Sequence, residues 1–219
     1  MLFFQILDEK RACSDVFYDG QIIQGFDCDR MTHTWSYSCH LEAQKMEYAS
    51  IWCTGKNLND VCPERLKQEW DDINKKAAAF LKTFKIAKIN LHHNCLFDLL
   101  PDGFLLDFYG LKNEITKSVF ENYEKPKNYD FLHDLVSMLH RIKNRDLNLN
   151  YSNLNFANEK ARNGFEKIKN VSNHIDYCPW TTVTGRLTTK QNSFPILNLN
   201  KALRPVLTPK NDAFVELDF

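Results

Sequence analysis

Residues 181–219 hold the side chains best suited to chemistry. Thr181-Thr182-Val183-Thr184-Gly185-Arg186-Leu187-Thr188-Thr189 sets a Gly-Arg pair among hydroxyl side chains. Phe194-Pro195-Ile196-Leu197-Asn198 follows as a proline-containing polar loop, then Arg204, then Phe214-Val215-Glu216-Leu217-Asp218-Phe219. An arginine fork clamps a phosphate or reaches into a minor groove, and threonine hydroxyls add bonds to backbone oxygens. An aspartate inside an apolar strand is costly unless it is paired or metal-bound, which makes Asp218 a candidate cation ligand. The other role open to Asp218 is capping a following helix.

Other constellations carry less. His92-His93-Asn94-Cys95 with Asp98 offers metal-ligating atoms, but adjacent side chains on a strand point to opposite faces and do not share one ion easily. Cys39-His40 has the same fault. A two-metal nuclease needs carboxylates spaced Asp-x-Glu on a strand. Asp8-Glu9 are adjacent instead, and Asp27 and Asp29 have the spacing but sit in a polar turn. Neither Gly-x-x-x-x-Gly-Lys nor Gly-x-Gly-x-x-Gly occurs, so the two common phosphate cradles are missing from the sequence. The seven cysteines, at 13, 28, 39, 53, 62, 95 and 178, are odd in number and never spaced C-x-x-C. They read as free thiols of a reducing compartment.

The frame that must position these groups is ordinary in composition. A chain of 219 residues makes one large domain or two small ones, and 43% apolar with 26% charged residues excludes disorder as the default state. No apolar run approaches the roughly 18 residues of a membrane span, and the first ten residues lack the basic region of a secretory signal. The chain is therefore expected in a cytoplasmic compartment, the host cytoplasm if its source is viral, with no membrane partner. Its zero net charge hides an imbalance: residues 1–140 carry 16 basic and 21 acidic side chains, a net of −5, whereas residues 141–210 carry 12 and 4, a net of +8. Such a block points to an anionic partner for that stretch, or to a lysine-rich solvated face.

Along the chain, Phe3–Leu7 reads as a strand, and Val16–Tyr18 and Gln21–Ile23 flank Asp19-Gly20, a strong hairpin signal. Thr34–Cys39 and Tyr48–Cys53 are expected to add strands. Leu66, Trp70, Ile73, Ala77, Phe80 and Leu81, after Pro63, predict an amphipathic helix of about twenty residues. Lys85–Leu91 reads as a returning strand, and Phe104–Phe120 as a helix introduced by Pro101-Asp102-Gly103. Glu124–Asn128 is a polar hinge. Phe131, Leu132, Leu135, Met138, Leu139 and Ile142 predict a further helix, Asn144–Asn155 an Asn-rich loop, and Phe156–Lys169 another helix. Sheet with packed helices gives a mixed α+β fold.

The C-terminal elements resemble the family A DNA polymerases, those similar to bacterial DNA polymerase I and its bacteriophage and mitochondrial relatives. Thr182–Thr189 is similar to the family's Thr-x-Thr-Gly-Arg-Leu-Ser-Ser, Pro195–Asn198 to its Pro-Asn-Leu-Gln, and Arg204–Leu207 to its Arg-x-x-Phe. Val215–Phe219 resembles the palm motif A strand, whose aspartate binds catalytic magnesium. The resemblance implies that Asp218 is one of two Mg²⁺-binding aspartates, and that Arg186 lies at the primer terminus with Thr184 and Gly185 shaping its turn. It places Lys190, Asn198 and Arg204 along the primer–template path. The family's Asn after the loop proline is Ile196 here, which removes one template contact.

By the same resemblance, residues 1–124 stand where the family carries its 3′–5′ exonuclease-like domain, shortened and without the acidic signature. Residues 125–175 supply thumb helices, and residues 176–219 the first strands of the palm. The fingers and the second aspartate have no counterpart in these 219 residues, so synthesis from deoxynucleoside triphosphates is expected to need them from elsewhere: either these residues are a fragment of a longer polymerase, or a second polypeptide carries the remaining palm and fingers. The implied function is template-directed DNA synthesis on primer–template DNA. The alternative is a non-catalytic DNA-binding or scaffold remnant of such a polymerase.

Overall fold

The computed structural model describes residues 1–8, 14–25, 31–41, 46–89, 91, 94–154, 159–169, 171–191 and 193–215, with the backbone alone for 159–161. The chain divides into two compact units, Met1–Ser137 and Met138–Phe219. Both are mixtures of helices and short strands, an α+β protein.

The first unit starts with an antiparallel meander, β1 (Phe4–Ile6), β2 (Val16–Tyr18) and β3 (Gln21–Ile23). Tyr18 faces Gln21 across the expected two-residue turn, and Asp19 (φ 48°) and Gly20 (φ 76°) both take the left-handed backbone that a type I′ turn requires. An isolated parallel bridge from Phe3 to His33 links this sheet to a second, two-stranded parallel sheet of β4 (His33–Thr34) and β5 (Glu47–Tyr48).

Two expected strands are much shorter than their apolar runs suggest. Of Thr34–Cys39 only Thr34 is in a strand, and Cys39–Leu41 forms a 3₁₀ turn. Of Tyr48–Cys53 only Tyr48 is in a strand, and α1 (Ala49–Trp52) follows it. Ala49, Ile51 and Cys53 are all fully buried, an alternation that fits a strand. Over five residues, however, i and i+4 also share a helical face, and the left-handed Thr54 and Gly55 close the helical alternative.

α2 (Leu58–Val61) begins in a capping box: the Asp60 N–H donates to Asn57 Oδ1 at 3.1 Å, and the Asn57 N–H to Asp60 Oδ2 at 3.3 Å. α3 (Glu64–Ile86) starts after Pro63 as the periodicity requires, burying Leu66, Trp70, Ile73 and Phe84. Among the described residues of Lys85–Leu91 the expected strand is not formed. α3 runs on through Ile86 because Phe84 continues its buried stripe, and it stops at Lys88, whose φ is 55°.

α4 (Asp102–Asn122) packs on α3 and β1. Trp70 and Ile73 meet Ile115, Val119 and Phe120 in the main core. Gln5, in the middle of an apolar strand, is fully buried and donates to Asn113 Oδ1 (3.1 Å) and Thr116 Oγ1 (3.0 Å) of α4. That pairing satisfies Nε2, while Oε1 is buried without a hydrogen-bond partner among the described residues. The hinge at 124–128 leads into α5 (Tyr129–Lys143). It is tied down by Lys125 Nζ, 2.6 Å from Glu47 Oε1, and by the Tyr48 N–H, which donates to the Tyr129 hydroxyl at 2.8 Å.

The second unit has less regular structure. α6 (Glu159–Lys169), the antiparallel pair β6 (Tyr177–Cys178) and β7 (Thr188–Thr189), and 3₁₀ segments at Ile196–Asn198 and Lys201–Val206 surround a small core of Ile168, Ile175, Phe194, Leu199, Leu203 and Val206. The Asn-rich loop is ordered by its amides. Asn148 Nδ2 donates to the Pro209 carbonyl and Asn153 Nδ2 to the Pro205 carbonyl, both at 3.1 Å, while Leu149 bridges Leu207 in antiparallel sense. Gly164 lets α6 approach closely: a Cβ there would lie 2.7 Å from Leu203 Cδ1. The strand expected at the C-terminus is not seen in its described part, where Phe214 and Val215 are exposed and outside any strand. No helix among the described residues is long and apolar enough to cross a membrane.

Candidate nucleic-acid interface

A hairpin in the second unit organises the Gly-Arg segment. Its register pairs Tyr177 with Thr189 and Cys178 with Thr188. The ladder extends beyond β6 and β7, because the Lys190 N–H donates to the Asp176 carbonyl (2.9 Å) and the Phe194 N–H to the His174 carbonyl (2.9 Å). Phe194, fully buried, anchors this base in the core.

Residues 179–187 form the connection. The Gly185 N–H donates to the Thr182 carbonyl at 3.2 Å, and Gly185 takes φ 70°, a conformation that L side chains rarely adopt. The Thr182 hydroxyl donates to the Arg186 carbonyl at 2.8 Å, and the Thr181 and Thr188 hydroxyls lie 2.6 Å apart across the base of the loop. Three of the threonines therefore hold the turn in shape. Thr184 and Arg186 are exposed on it, and among the described residues Arg186 has no ion-pair partner. An exposed guanidinium on a fixed turn can take a phosphate or enter a groove without first breaking an internal salt bridge.

The remaining sequence-derived residues fall in two places. Lys190 follows β7 directly, and β7 packs on the 3₁₀ turn that carries Asn198, so both belong to the hairpin. Arg204 lies on the 3₁₀ segment packed against α6 and Tyr151–Asn153; it too is exposed and without an ion-pair partner among the described residues. Asp218 lies outside the described residues, as do Glu9, Asp27, Asp29, His92 and His93. Among the described residues no group of three or more His, Cys, Asp or Glu side chains could hold a metal ion.

Two residues that the motifs did not single out share the hairpin surface. The Asp176 carboxylate lies 3.3 Å from Lys190 Nζ and 3.8 Å from Lys143 Nζ. A cross-strand Asp/Lys pair was available from the register once the hairpin was drawn, but Lys143 comes from α5 and gave no such signal. Nearby, His174 Nε2 lies 3.1 Å from Asp146 Oδ1, and burial pushes the Tyr177 phenol above its ordinary value.

In the first unit the candidate Asp8 is buried just past β1, and its carboxylate accepts the Leu96 N–H at 3.4 Å. Comparison with protein-family models, with curated proteins and with solved structures returned no match.

Proposed function

We propose that this chain is the N-terminal portion of a family A DNA polymerase and contributes to template-directed DNA synthesis on primer–template DNA. The observation that carries the proposal is the exposed Gly185-Arg186 turn in the most basic stretch of the chain, followed by Arg204 and Asp218 in the family's order. Residues 1–124 would be its reduced exonuclease-like domain, 125–175 its thumb and 176–219 the start of its palm. A cytoplasmic setting, that of the host if the source is viral, suits such a protein.

Arg186 reaches the primer terminus from the minor-groove side, its backbone held by the Thr182–Gly185 turn. Lys190, Asn198 and Arg204 take backbone phosphates along the primer–template path; such contacts set register without reading sequence. Asp218 would hold Mg²⁺ together with the second aspartate of the family's palm, beside the fingers that select a deoxynucleoside triphosphate. When bound, the ion neutralises charge developing between the primer 3′-hydroxyl and the nucleotide α-phosphate.

Primer extension with Mg²⁺ and four nucleotides tests the proposal, using the chain alone and mixed with a polypeptide carrying the remaining palm and fingers. Extension only in the mixture, lost with Asp218→Ala, is the expected result. Salt-sensitive duplex binding without extension in the mixture would favour the non-catalytic DNA-binding remnant.

A further inference from the structure

Residues 75–88, at the end of α3, hold five lysines and no acid, in a unit that is acidic overall. Beside them α3 and α4 leave a groove of about 440 Å³, lined by Lys76, Ala79, Phe80, Thr83, Phe104 and Asp107. Its aromatic wall is already assembled: Phe80 meets Phe104 edge to face at 5.1 Å between centroids, and Phe104 stacks on Phe108 at 5.9 Å. The Thr83 hydroxyl is spent on the Ala79 carbonyl, at 3.0 Å. Lys76 and Asp107 are exposed and have no ion-pair partner among the described residues. Lys82 is exposed and unpaired in the same way. Its stripe of α3, with Ala79 and Ile86 at three- and four-residue spacing, borders the groove through Ala79.

The start of α5 presents the converse. Phe131 is 65% exposed on a regular helix, with Asp134 on the same stripe at i+3. Asp130 precedes it and Lys127 lies four residues before it, both exposed and without an ion-pair partner among the described residues. Asp134 approaches His133 Nδ1 at 3.7 Å. This knob and the groove match in chemistry and in sign: a ring for an aromatic slot, two aspartates for Lys76 and Lys82, and Lys127 for Asp107.

We propose that the α3–α4 groove docks Phe131 of a second copy of this chain, with Asp130 and Asp134 of that copy against Lys76 and Lys82. A slot whose hydroxyl is already spent favours an apolar ring over a phosphodiester, and Asp107 repels a polyanion. Because unlike patches meet, each copy keeps one unused knob and one unused groove, and association continues to a ring or an open chain. A single docked ring makes a small interface, so the association is weak and depends on concentration. The exposed charges set orientation more than affinity, and salt screens them. Both patches belong to the first unit, so the association is independent of duplex binding.

Sedimentation velocity of the full chain under reducing conditions, across a concentration series, tests the proposal, with far-UV circular dichroism as the check on folding. Phe131→Ser removes the knob, and Ala79→Glu fills the groove with an acid. Both positions are exposed, and glutamate is a good helix former. The wild type is expected to self-associate, and each variant alone to associate at least about tenfold more weakly. An equimolar mixture of the two variants is expected to form dimers that grow no further, since one intact knob and one intact groove remain. A charge exchange repeats the test with Phe131 and Ala79 intact. Asp130→Lys with Asp134→Lys should be monomeric alone and regain association when mixed with Lys76→Glu and Lys82→Glu in the other copy. A wild type that stays monomeric at every concentration would overturn the proposal and leave the groove to a partner of another kind. Association that survives either single variant, or mixtures that do not recover it, would overturn the pairing of Phe131 with this groove.

Discussion

In the first unit Gln5, Asp8, Asn113 and Thr116 are buried, whereas in the second Thr184, Arg186, Lys190, Asn198 and Arg204 all face solvent. The buried group joins strand to helix: Gln5 bonds α4, and the Tyr109 hydroxyl donates to the Leu7 carbonyl. The exposed group sits on turns whose shape is held by other side chains, chiefly threonine hydroxyls and asparagine amides. These buried polar groups of the first unit are consumed in making the fold, whereas Arg186 and Arg204 of the second are exposed and without ion-pair partners among the described residues, and the proposed nucleic-acid surface is placed there.

Removing a buried anchor should have the largest effect. Phe194→Ala takes out a fully buried ring from the small second core, and Trp70→Ala does the same in the first, where the ring is 2% exposed and Nε1 donates to Asn59 Oδ1 at 2.6 Å. Each should cost about 3–5 kcal/mol in urea unfolding, and only Phe194→Ala should also abolish duplex binding. Gln5→Ala, which leaves Asn113 and Thr116 without their buried donor, should cost about 1–3 kcal/mol with no change in duplex affinity.

Arg186→Ala should do the reverse, leaving unfolding unchanged while weakening duplex binding by about tenfold and reducing the salt slope by about one. Asn153→Ala, which frees the Pro205 carbonyl, should cost about 0.5–1.5 kcal/mol in unfolding.

The smallest expected effects are in the pH dependence of stability and arise in the first unit. Burial pulls the His33 imidazole below its ordinary value, against the opposing pull of Glu47. Burial pushes the Glu47 carboxyl up, but hydrogen bonds from Lys125 and Trp52 outweigh it and leave the group below its ordinary range. In both cases the unfolded chain binds the proton more readily, so stability rises with pH across each window. The His33 contribution is complete above 6.5 and is lost as pH falls through the lower folded value. The Glu47 contribution is complete above 4.5 and lost below it in the same way. His33→Gln should remove the first decline in urea midpoints, and Glu47→Gln the second.

Long periodic segments were legible in the sequence because many residues vote for one period: α3, α4 and α5 all form where the apolar spacing places them. The Asp19-Gly20 hairpin was legible for a different reason, since its turn chemistry is local. Short apolar runs misled. Tyr48–Cys53 and Lys85–Leu91 fit periods of 2 and 3.6 about equally over so few residues, and tertiary burial of Ile51 and Phe84 decided for helix. The Asn-rich loop concealed its order, because its partners are carbonyls more than fifty residues away. Of the candidate site, the Arg186 turn could be read from Gly185, but Asp176 and Lys143 could not be joined to it before the hairpin register and α5 were in place.

Hydrogen–deuterium exchange of the full chain with and without a primed DNA duplex tests most directly the proposal that the second unit binds nucleic acid. Slower exchange in segments 179–191 and 198–206, with residues 1–122 unchanged, is the predicted result. Protection confined to residues 1–122, or none anywhere at saturating duplex, would contradict the assignment of that surface to the second unit.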